Sequence, residues 1–248
     1  MDKVWRSSIT CLGLLLSWQI MVMAFTLPQY ILPAPWDVFH TLYMNASVIG
    51  QAAVPTLIET LLGLLLGIFF GCLAGLTIAF FRPLSRWFLP ILIISQAIPT
   101  FAIAPLLVIW LGYGMVSKIA TTVLMIFFPI TSSFYDGMRN TNQGWLDLAK
   151  TMNAKRWRTF WFIRIPAALP ALASGIRVAT VVAPIGAVVG EWVGSSQGLG
   201  YLMLNANARM EIDMMFAALI IIVVMALVLY FSVDKMLRRL IYWKSDSQ

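Results

Sequence analysis

Charged side chains are scarce in this chain. Only 11% of its 248 residues are Asp, Glu, Lys or Arg, whereas 60% are hydrophobic. A soluble domain usually carries about 25% charged residues, because its surface faces water. This shortage of charge excludes an ordinary water-soluble domain and predicts a protein that is surrounded by lipid.

Side chains and motifs for covalent chemistry are also rare. The chain has one histidine, His40, and its two cysteines, Cys11 and Cys72, lie inside apolar stretches, so no disulfide or metal site is predicted. Residues 194–198 match the Gly-x-Ser-x-Gly pattern of hydrolases, but that motif needs a histidine later in the chain. No phosphate-binding Gly-x-x-x-x-Gly-Lys-Ser/Thr loop occurs. We therefore expect neither an enzyme nor a bound cofactor, and any ATP must bind another subunit.

Six long apolar runs divide the chain. Each is close to the length of about 20 residues that crosses a bilayer as a helix. The runs are continuous rather than alternating, which argues against the strands of a β-barrel. We predict an all-α integral membrane protein with six transmembrane helices. The runs cover residues 9–26, 57–81, 88–111, 119–134, 169–189 and 214–233.

The basic residues predict how these spans are oriented. If the N-terminus is cytoplasmic, 15 of the 17 Lys and Arg residues lie on or near the cytoplasmic side, and only Lys118 and Arg209 lie outside. Short cytoplasmic loops are typically rich in Lys and Arg. We expect both termini to be cytoplasmic. The net charge of +7 then reflects topology, and no nucleic-acid partner is expected.

The stretches between the spans are uneven in length. Residues 135–166 form a long basic cytoplasmic segment, in which two helical patterns flank Asn153 and Pro166 is expected to end the second helix. Its exposed aromatic residues suit a docking site for a partner protein or, equally, a hairpin that lies on anionic lipid. Residues 27–56 and 190–213 are predicted to be external, and residues 37–51 are a candidate interfacial helix.

The long cytoplasmic segment resembles the signature of permease subunits in binding-protein-dependent ATP-driven (ABC) importers. That signature reads Glu-Ala-Ala, three residues, Gly, nine residues, and Ile-x-Leu-Pro. The matching positions here are 147–149, Asn153 and 163–166, with Asp for Glu, Leu for the first Ala and Asn for Gly. Aspartate keeps the negative charge, and asparagine keeps access to the left-handed backbone conformation.

The resemblance extends over most of the chain, to the nitrate, sulfonate and taurine branch of these importers. It includes Leu-Pro-Ala-Pro at 32–35, Trp-Leu-Gly-Tyr-Gly at 110–114, Gly-Ile-Arg at 175–177 and Gly-Leu-Gly at 198–200, whereas Glu59 stands where that branch is often basic. The resemblance implies a type I importer transmembrane domain in a bacterial inner membrane. It also implies a second copy of this chain, two ATPase subunits on the cytoplasmic side and an external solute-binding protein.

The same resemblance and the pattern of the spans give three groups of candidate site residues. The coupling group would contact the ATPase, the pore group lies in the second and third spans, and the third group lies in the loop after the fifth span. For Pro99 a packed kink, and for Glu59 simple interfacial exposure, are the alternatives to a pore role. The coupling group is Asp147, Ala149, Asn153, Ala154, Ile163 and Pro166. The pore group is Ser95, Gln96, Pro99, Thr100 and Glu59. The external group is Glu191, Gly198 and Gly200.

We divide the chain into an N-terminal span with an external segment (1–53), a transmembrane core (54–236) that includes a coupling hairpin (136–166), and a basic tail (237–248). A four-residue stripe of glycines at 63, 67, 71 and 75 predicts close helix packing, within the chain in preference to between two copies. The implied function is import of a small solute, with a thiamine pyrimidine precursor ahead of sulfonate, taurine or nitrate. A free-standing secondary carrier is the alternative, although such carriers are expected to show more intramembrane charge and often inverted repeats.

Overall fold

The structure is a computed structural model that describes residues 2–25 and 28–243. Within those ranges the chain forms eleven α-helices and one π-helical segment, with no strand. The all-helical fold that composition predicted is therefore confirmed. In chain order the elements are α1 (Asp2–Ala24), α2 (Pro35–Met44), α3 (Ala46–Phe80), α4 (Arg82–Ala97), α5 (Thr100–Leu111), α6 (Met115–Arg139), α7 (Gln143–Thr151), α8 (Arg156–Thr159), the π-helical segment (Phe160–Arg164), α9 (Ile165–Gly194), α10 (Leu199–Ala208) and α11 (Ile212–Leu240).

The centre of the fold is helix α6, which packs against α3 on one side and α9 on the other. Its neighbour α3 presents the glycine stripe to it. A methyl group added at Gly67 would lie 2.5 Å from the side chain of Ile126, and one at Gly71 would lie 2.8 Å from Ile130. Thr131 on α6 also donates a hydrogen bond to the carbonyl of Gly71 at 3.2 Å. The stripe therefore packs within the chain, as the sequence favoured.

Four helices among the described residues are long and apolar enough to cross a membrane by themselves: α3, α6, α11 and the continuous helical stretch Arg156–Gly194. The first predicted run forms α1, whose apolar part is Leu12–Ala24. The third run is not one helix, because the chain is extended at Ile98 before Pro99 and divides it into α4 and α5. Proline disfavours a helical conformation in the residue that precedes it.

The outer part of the fold differs from the prediction. Residues 190–213 were expected to form an external loop, but α9 continues to Gly194 and residues 199–208 form α10. Helix α2 precedes α3, which begins at Ala46 and not near residue 57. Helices α2, α10 and α11 enclose a second core, built around Val38, Leu199 and Ala217. This core ties the outer segments to the membrane-spanning bundle.

Large apolar side chains cover the outside of the spans. Leu65 and Phe69 on α3 and Val228 and Phe231 on α11 are each about 60% exposed. Such a surface is unfavourable in water and suits contact with lipid or with another apolar protein surface. The boundary predicted at 53/54 falls inside α3, and the predicted tail begins inside α11, with residues 244–248 outside the described ranges.

Candidate functional site

The coupling hairpin consists of α7, a tight turn at residues 152–155, and α8. The side chain of Asn142 begins α7 by accepting the backbone N–H of Gly144 at 2.8 Å. At the other end Asn153 has φ +53°, the left-handed conformation that the sequence predicted for it. The N–H of Ala154 donates to the carbonyl of Ala149, and that of Asn153 to Lys150, both at 2.9 Å. This pair of bonds is the Schellman motif, which closes a helix firmly.

The two faces of α7 differ. Leu146 and Ala149 are buried against the rest of the chain. Trp145, Leu148 and Met152 are 55%, 60% and 74% exposed. The exposed residues border a groove of about 620 Å³ that also includes Ile163 and Pro166. An exposed apolar surface of this kind is typical of a contact with a protein or with a membrane.

Asp147 lies on the exposed side of α7. Its Oδ1 is 2.7 Å from Nζ of Lys150, and both side chains are mostly exposed. Exposed ion pairs contribute only about 0–1 kcal/mol to stability. The fold therefore does not depend on this carboxylate, and a substitution here can be read for its effect on partners.

Pro166 does not end the second helix of the hairpin, contrary to the prediction. The chain continues from α8 through the π-helical segment into α9, and Pro166 occupies the first turn of α9. The N–H of Ile165 reaches the carbonyl of Phe160, one residue farther back than in an α-helix. Pro166 lies just after the π-helical segment, where the α-helical hydrogen-bond pattern is already interrupted. The second helix of the hairpin (α8), the π-helical segment and the long α9 are thus one continuous helical rod.

The hairpin is also fixed to the end of α3. Arg156 donates to the carbonyl of Phe80 at 2.9 Å, and its guanidinium lies 5.9 Å from the centre of the Phe80 ring. The rings of Trp157 and Phe160 are 6.2 and 5.1 Å from that ring. A cation that binds the last carbonyls of a helix also interacts favourably with the helix dipole. The hairpin is therefore in direct contact with the end of α3 and continuous with α9.

At the far end of α9 lies a buried polar cluster. Glu191, expected in a loop, is 1% exposed inside the helix. Its Oε1 accepts from the hydroxyl of Thr56 on α3 at 2.6 Å, and its Oε2 accepts from the N–H of Gly200 at 2.5 Å. The Thr56 hydroxyl in turn accepts the N–H of Leu199 at 2.8 Å. One carboxylate thus joins α3, α9 and the start of α10.

The Gly-Leu-Gly segment fits around this carboxylate. A methyl group at Gly198 would stand 2.1 Å from Oε1 of Glu191, and one at Gly200 would stand 2.8 Å from Oε2. Gly198 also has φ +111°, which side chains rarely adopt. Both glycines of the external group are therefore needed for close approach to Glu191.

Lys118 completes the cluster. Its position in the sequence predicted an external loop, so its role here was not predicted. It lies in α6 and is 2% exposed, where its ammonium pairs with Oε1 of Glu59 and donates to the hydroxyl of Ser195 at 3.0 Å. Glu59 itself is fully buried, which is inconsistent with interfacial exposure. The sequence did contain a signal for this pair. Glu59 lies in an apolar run, and a buried charge needs a partner of opposite charge.

The remaining pore candidates lie at the break between α4 and α5. Pro99 is exposed, Thr100 is half-buried at the start of α5, and the carbonyl of Pro99 accepts the N–H of Ala102 at 2.8 Å. The side chains of Ser95 and Gln96 lie outside the part of the structure that is described. The structure does not bring Glu59 to this break; it pairs with Lys118 on α6 instead. A role for these residues in a pore stays a prediction.

Known proteins resemble this chain along nearly its whole length. A probable ABC transporter permease protein from Haemophilus influenzae is 57% identical over 229 residues, covering 92% of this chain and 94% of the relative. A formylaminopyrimidine transport permease protein from Halalkalibacterium halodurans is 35% identical, covering 94% and 93% of the two chains. A crystal structure of an amino acid ABC transporter shares the fold, with a TM-score of 0.64 over 82% of this chain and 97% of the other, at 14% identity.

The family itself is matched directly. Residues 63–242, which include α6, the coupling hairpin, α9 and the Glu191, Gly198, Gly200 and Lys118 part of the polar cluster, match the family described as the binding-protein-dependent transport system inner membrane component. Together with the relatives above, this match covers the region that carries both candidate sites. The chain therefore belongs to the family of binding-protein-dependent transport system inner membrane components, the permease subunits of ABC importers.

Proposed function

We propose that two copies of this chain form the membrane path of an ATP-driven importer, with two ATPase subunits on the cytoplasmic side and a solute-binding protein outside. In this arrangement both termini and the coupling hairpin are cytoplasmic, and Glu191, Gly198 and Gly200 lie near the outer surface. The chain makes no covalent bond to the solute. Its contribution is the path and the transmission of movement.

One observation carries the proposed transmission: α8, the π-helical segment and α9 are a continuous helical stretch from Arg156 to Gly194. The 30 residues of α9 alone span about 45 Å. The hairpin stands at one end, and the Glu191 cluster at the other. A displacement of the hairpin by an ATPase subunit would therefore tilt α9, and with it α3, because both helices are joined at each end.

Coupling to ATP needs differential binding. The ATPase pair shifts the spans between outward-open and inward-open states only if its ATP-bound form fits one hairpin arrangement better than the other. The exposed face of α7, with Trp145, Leu148 and Met152, is the surface we assign to that contact. Asp147 lies beside this face and supplies its negative charge.

Reversal of the charge at Asp147 tests this assignment. We expect Asp147→Arg to lower ATPase co-purification and uptake about tenfold or more, because a charge of the wrong sign at a docking site costs binding free energy. The chain should still insert, since the ion pair with Lys150 is exposed. A pull-down of the tagged chain from detergent, followed by mass spectrometry and an ATPase assay, measures both effects.

The matched control is Asp37→Arg, which makes the same charge change on α2 and away from the hairpin. It should leave ATPase co-purification unchanged. Normal uptake and normal ATPase association in Asp147→Arg would contradict the coupling role of this residue.

For the solute, we propose a thiamine pyrimidine precursor. The 35% identical relative is named for formylaminopyrimidine transport and matches over almost its full length, which supports this choice. The co-purified binding protein, tested by calorimetry, should bind aminopyrimidines more tightly than taurine, alkyl sulfonates or nitrate. A preference for one of those three kinds of solute would contradict the assignment.

A further inference from the structure

A second cavity lies on the other side of α7 from the apolar groove. It has a volume of about 460 Å³ and is enclosed by α7, α8, the π-helical segment and the last turn of α3. Three basic side chains line it, each from a different segment: Lys150, Arg156 and Arg164. We call this cavity the basic pocket. Helix α7 therefore separates an apolar groove from a cationic cavity.

Two of the three cations of the basic pocket make contacts within the chain. Arg156 is held by the Phe80 carbonyl and by the Phe80 ring. Lys150 forms an ion pair with Asp147 at 2.7 Å. Asp147 is the one acidic residue between residues 140 and 170. Over that stretch the sequence also contains Lys155 and Arg158, so positive charge exceeds negative charge strongly. The pocket suits a ligand with a concentrated negative charge, and a phosphate group has that property.

The pocket stands at the level where a membrane meets water. It adjoins the C-terminal end of the spanning helix α3, and its floor is apolar, with Phe80, Leu146 and Phe160. The neighbouring Trp157 and Trp161 are 57% and 43% exposed, and exposed tryptophans are typical of the membrane interface.

A lipid-facing track leads away from the pocket along α3. Phe69 and Leu73 are 60% and 52% exposed, and with Phe80 they recur at helical spacing on one side of the helix. An acyl chain can follow this track while its headgroup occupies the cavity. A free phosphate ion or a soluble protein would have no use for the apolar floor and track.

We propose that the basic pocket binds the phosphate headgroup of an anionic phospholipid from the cytoplasmic leaflet. Basic pockets between membrane helices on the cytoplasmic side are known to hold such headgroups. A lipid in this place would contact α3, α7 and α8 at once, and so would set the position of the coupling hairpin. The inference rests on the proposed orientation of the chain, with the hairpin cytoplasmic.

The test uses the complete transporter, purified from bacteria and reconstituted in nanodiscs of phosphatidylethanolamine with a minor share of phosphatidylglycerol and cardiolipin. Native mass spectrometry then measures the anionic lipid that the complex retains. Arg156→Gln with Arg164→Gln should lower retention about thirtyfold, from the usual contribution of two basic residues near a membrane surface. Lys155→Gln with Arg158→Gln is the matched control, because it removes the same charge from the same hairpin outside the pocket. It should change retention less than about threefold.

Three further results decide the proposal. Arg156→Lys with Arg164→Lys keeps the charge and should restore most of the retention, which separates lost binding from a disturbed hairpin. An equal loss in the pocket variant and the control would overturn the site in favour of diffuse attraction. Displacement of the lipid by millimolar inorganic phosphate would assign the pocket to a soluble anion and also overturn the proposal. Co-purification of the ATPase subunit from the same samples tests the importer proposal separately.

Discussion

Gly198 lies directly against the Glu191 carboxylate at the outer end of α9. Two features of this position require glycine: its positive φ and its short distance to Glu191. An experiment can distinguish their effects. Gly112 has φ +82° but nothing within 4 Å of an added methyl group. An alanine at Gly112 therefore tests the cost of backbone strain without a steric clash.

We predict that Gly198→Ala is far more damaging than Gly112→Ala. Strain of an alanine in the extended positive-φ region that both glycines occupy costs about 1–3 kcal/mol. At Gly198 the methyl group would also displace the buried Glu191 carboxylate from its hydrogen bonds. Size-exclusion chromatography of the detergent-purified chain after stepwise heating measures the difference. Equal losses of thermal stability in the two variants would contradict the proposed fit around Glu191.

The buried ion pair of Lys118 and Glu59 makes a second prediction at this scale. Lys118→Met leaves Glu59 buried without its ammonium partner, and breaking a buried pair in this way costs about 3–5 kcal/mol. Adding Glu59→Gln removes the orphaned charge, so the double variant should recover most of the stability. The same heating assay follows both variants. A double variant no more stable than Lys118→Met would show that the two side chains do not depend on each other.

At the scale of elements, the hairpin is the part that its sequence specified best. Asn153 was predicted to be left-handed because few residues tolerate that conformation, and its φ of +53° confirms the prediction. The helical rod was predicted less well, because a proline at position 166 ordinarily signals the end of a helix. The π-helical segment Phe160–Arg164 carries the chain past that signal, and no single-residue rule predicts such a segment.

We predict that Asn153→Gly has little effect, whereas Asn153→Val uncouples transport. Glycine adopts positive φ freely, but a β-branched side chain is strongly disfavoured there. Asn140→Val is a matched control, because Asn140 ends a helix at φ −88°. ATP hydrolysis and uptake should be measured together, with a fall in uptake per ATP of about tenfold expected for Asn153→Val. Full coupling in that variant, or failed assembly of Asn153→Gly, would contradict the assigned turn.

The outer elements illustrate what sequence patterns could not supply. Glu191, Lys118 and Glu59 are far apart in the chain; Glu191 and Lys118 were predicted to be external, and Glu59 was a pore candidate. Only packing of α3, α6 and α9 brings them together, because glycines along α3 and α9 let these helices approach α6 closely. Burial of the charges follows from that approach, which depends on long-range contacts and not on local periodicity.

At the scale of the whole molecule, the protein class and the family could be predicted from features that do not depend on contacts between distant residues. Scarce charge and long apolar runs required lipid, and the spacing of the hairpin signature indicated the importer family, which the match over residues 63–242 confirms. The described residues then show a rod that joins the hairpin to the Glu191 cluster.

The most direct test is uptake in proteoliposomes that contain this chain, its co-purified ATPase subunit and its binding protein, with a radiolabelled aminopyrimidine as the solute. We predict uptake that requires ATP and all three proteins, and that stops when any one is omitted. Uptake by the chain alone, without ATP, would contradict the account and indicate a secondary carrier.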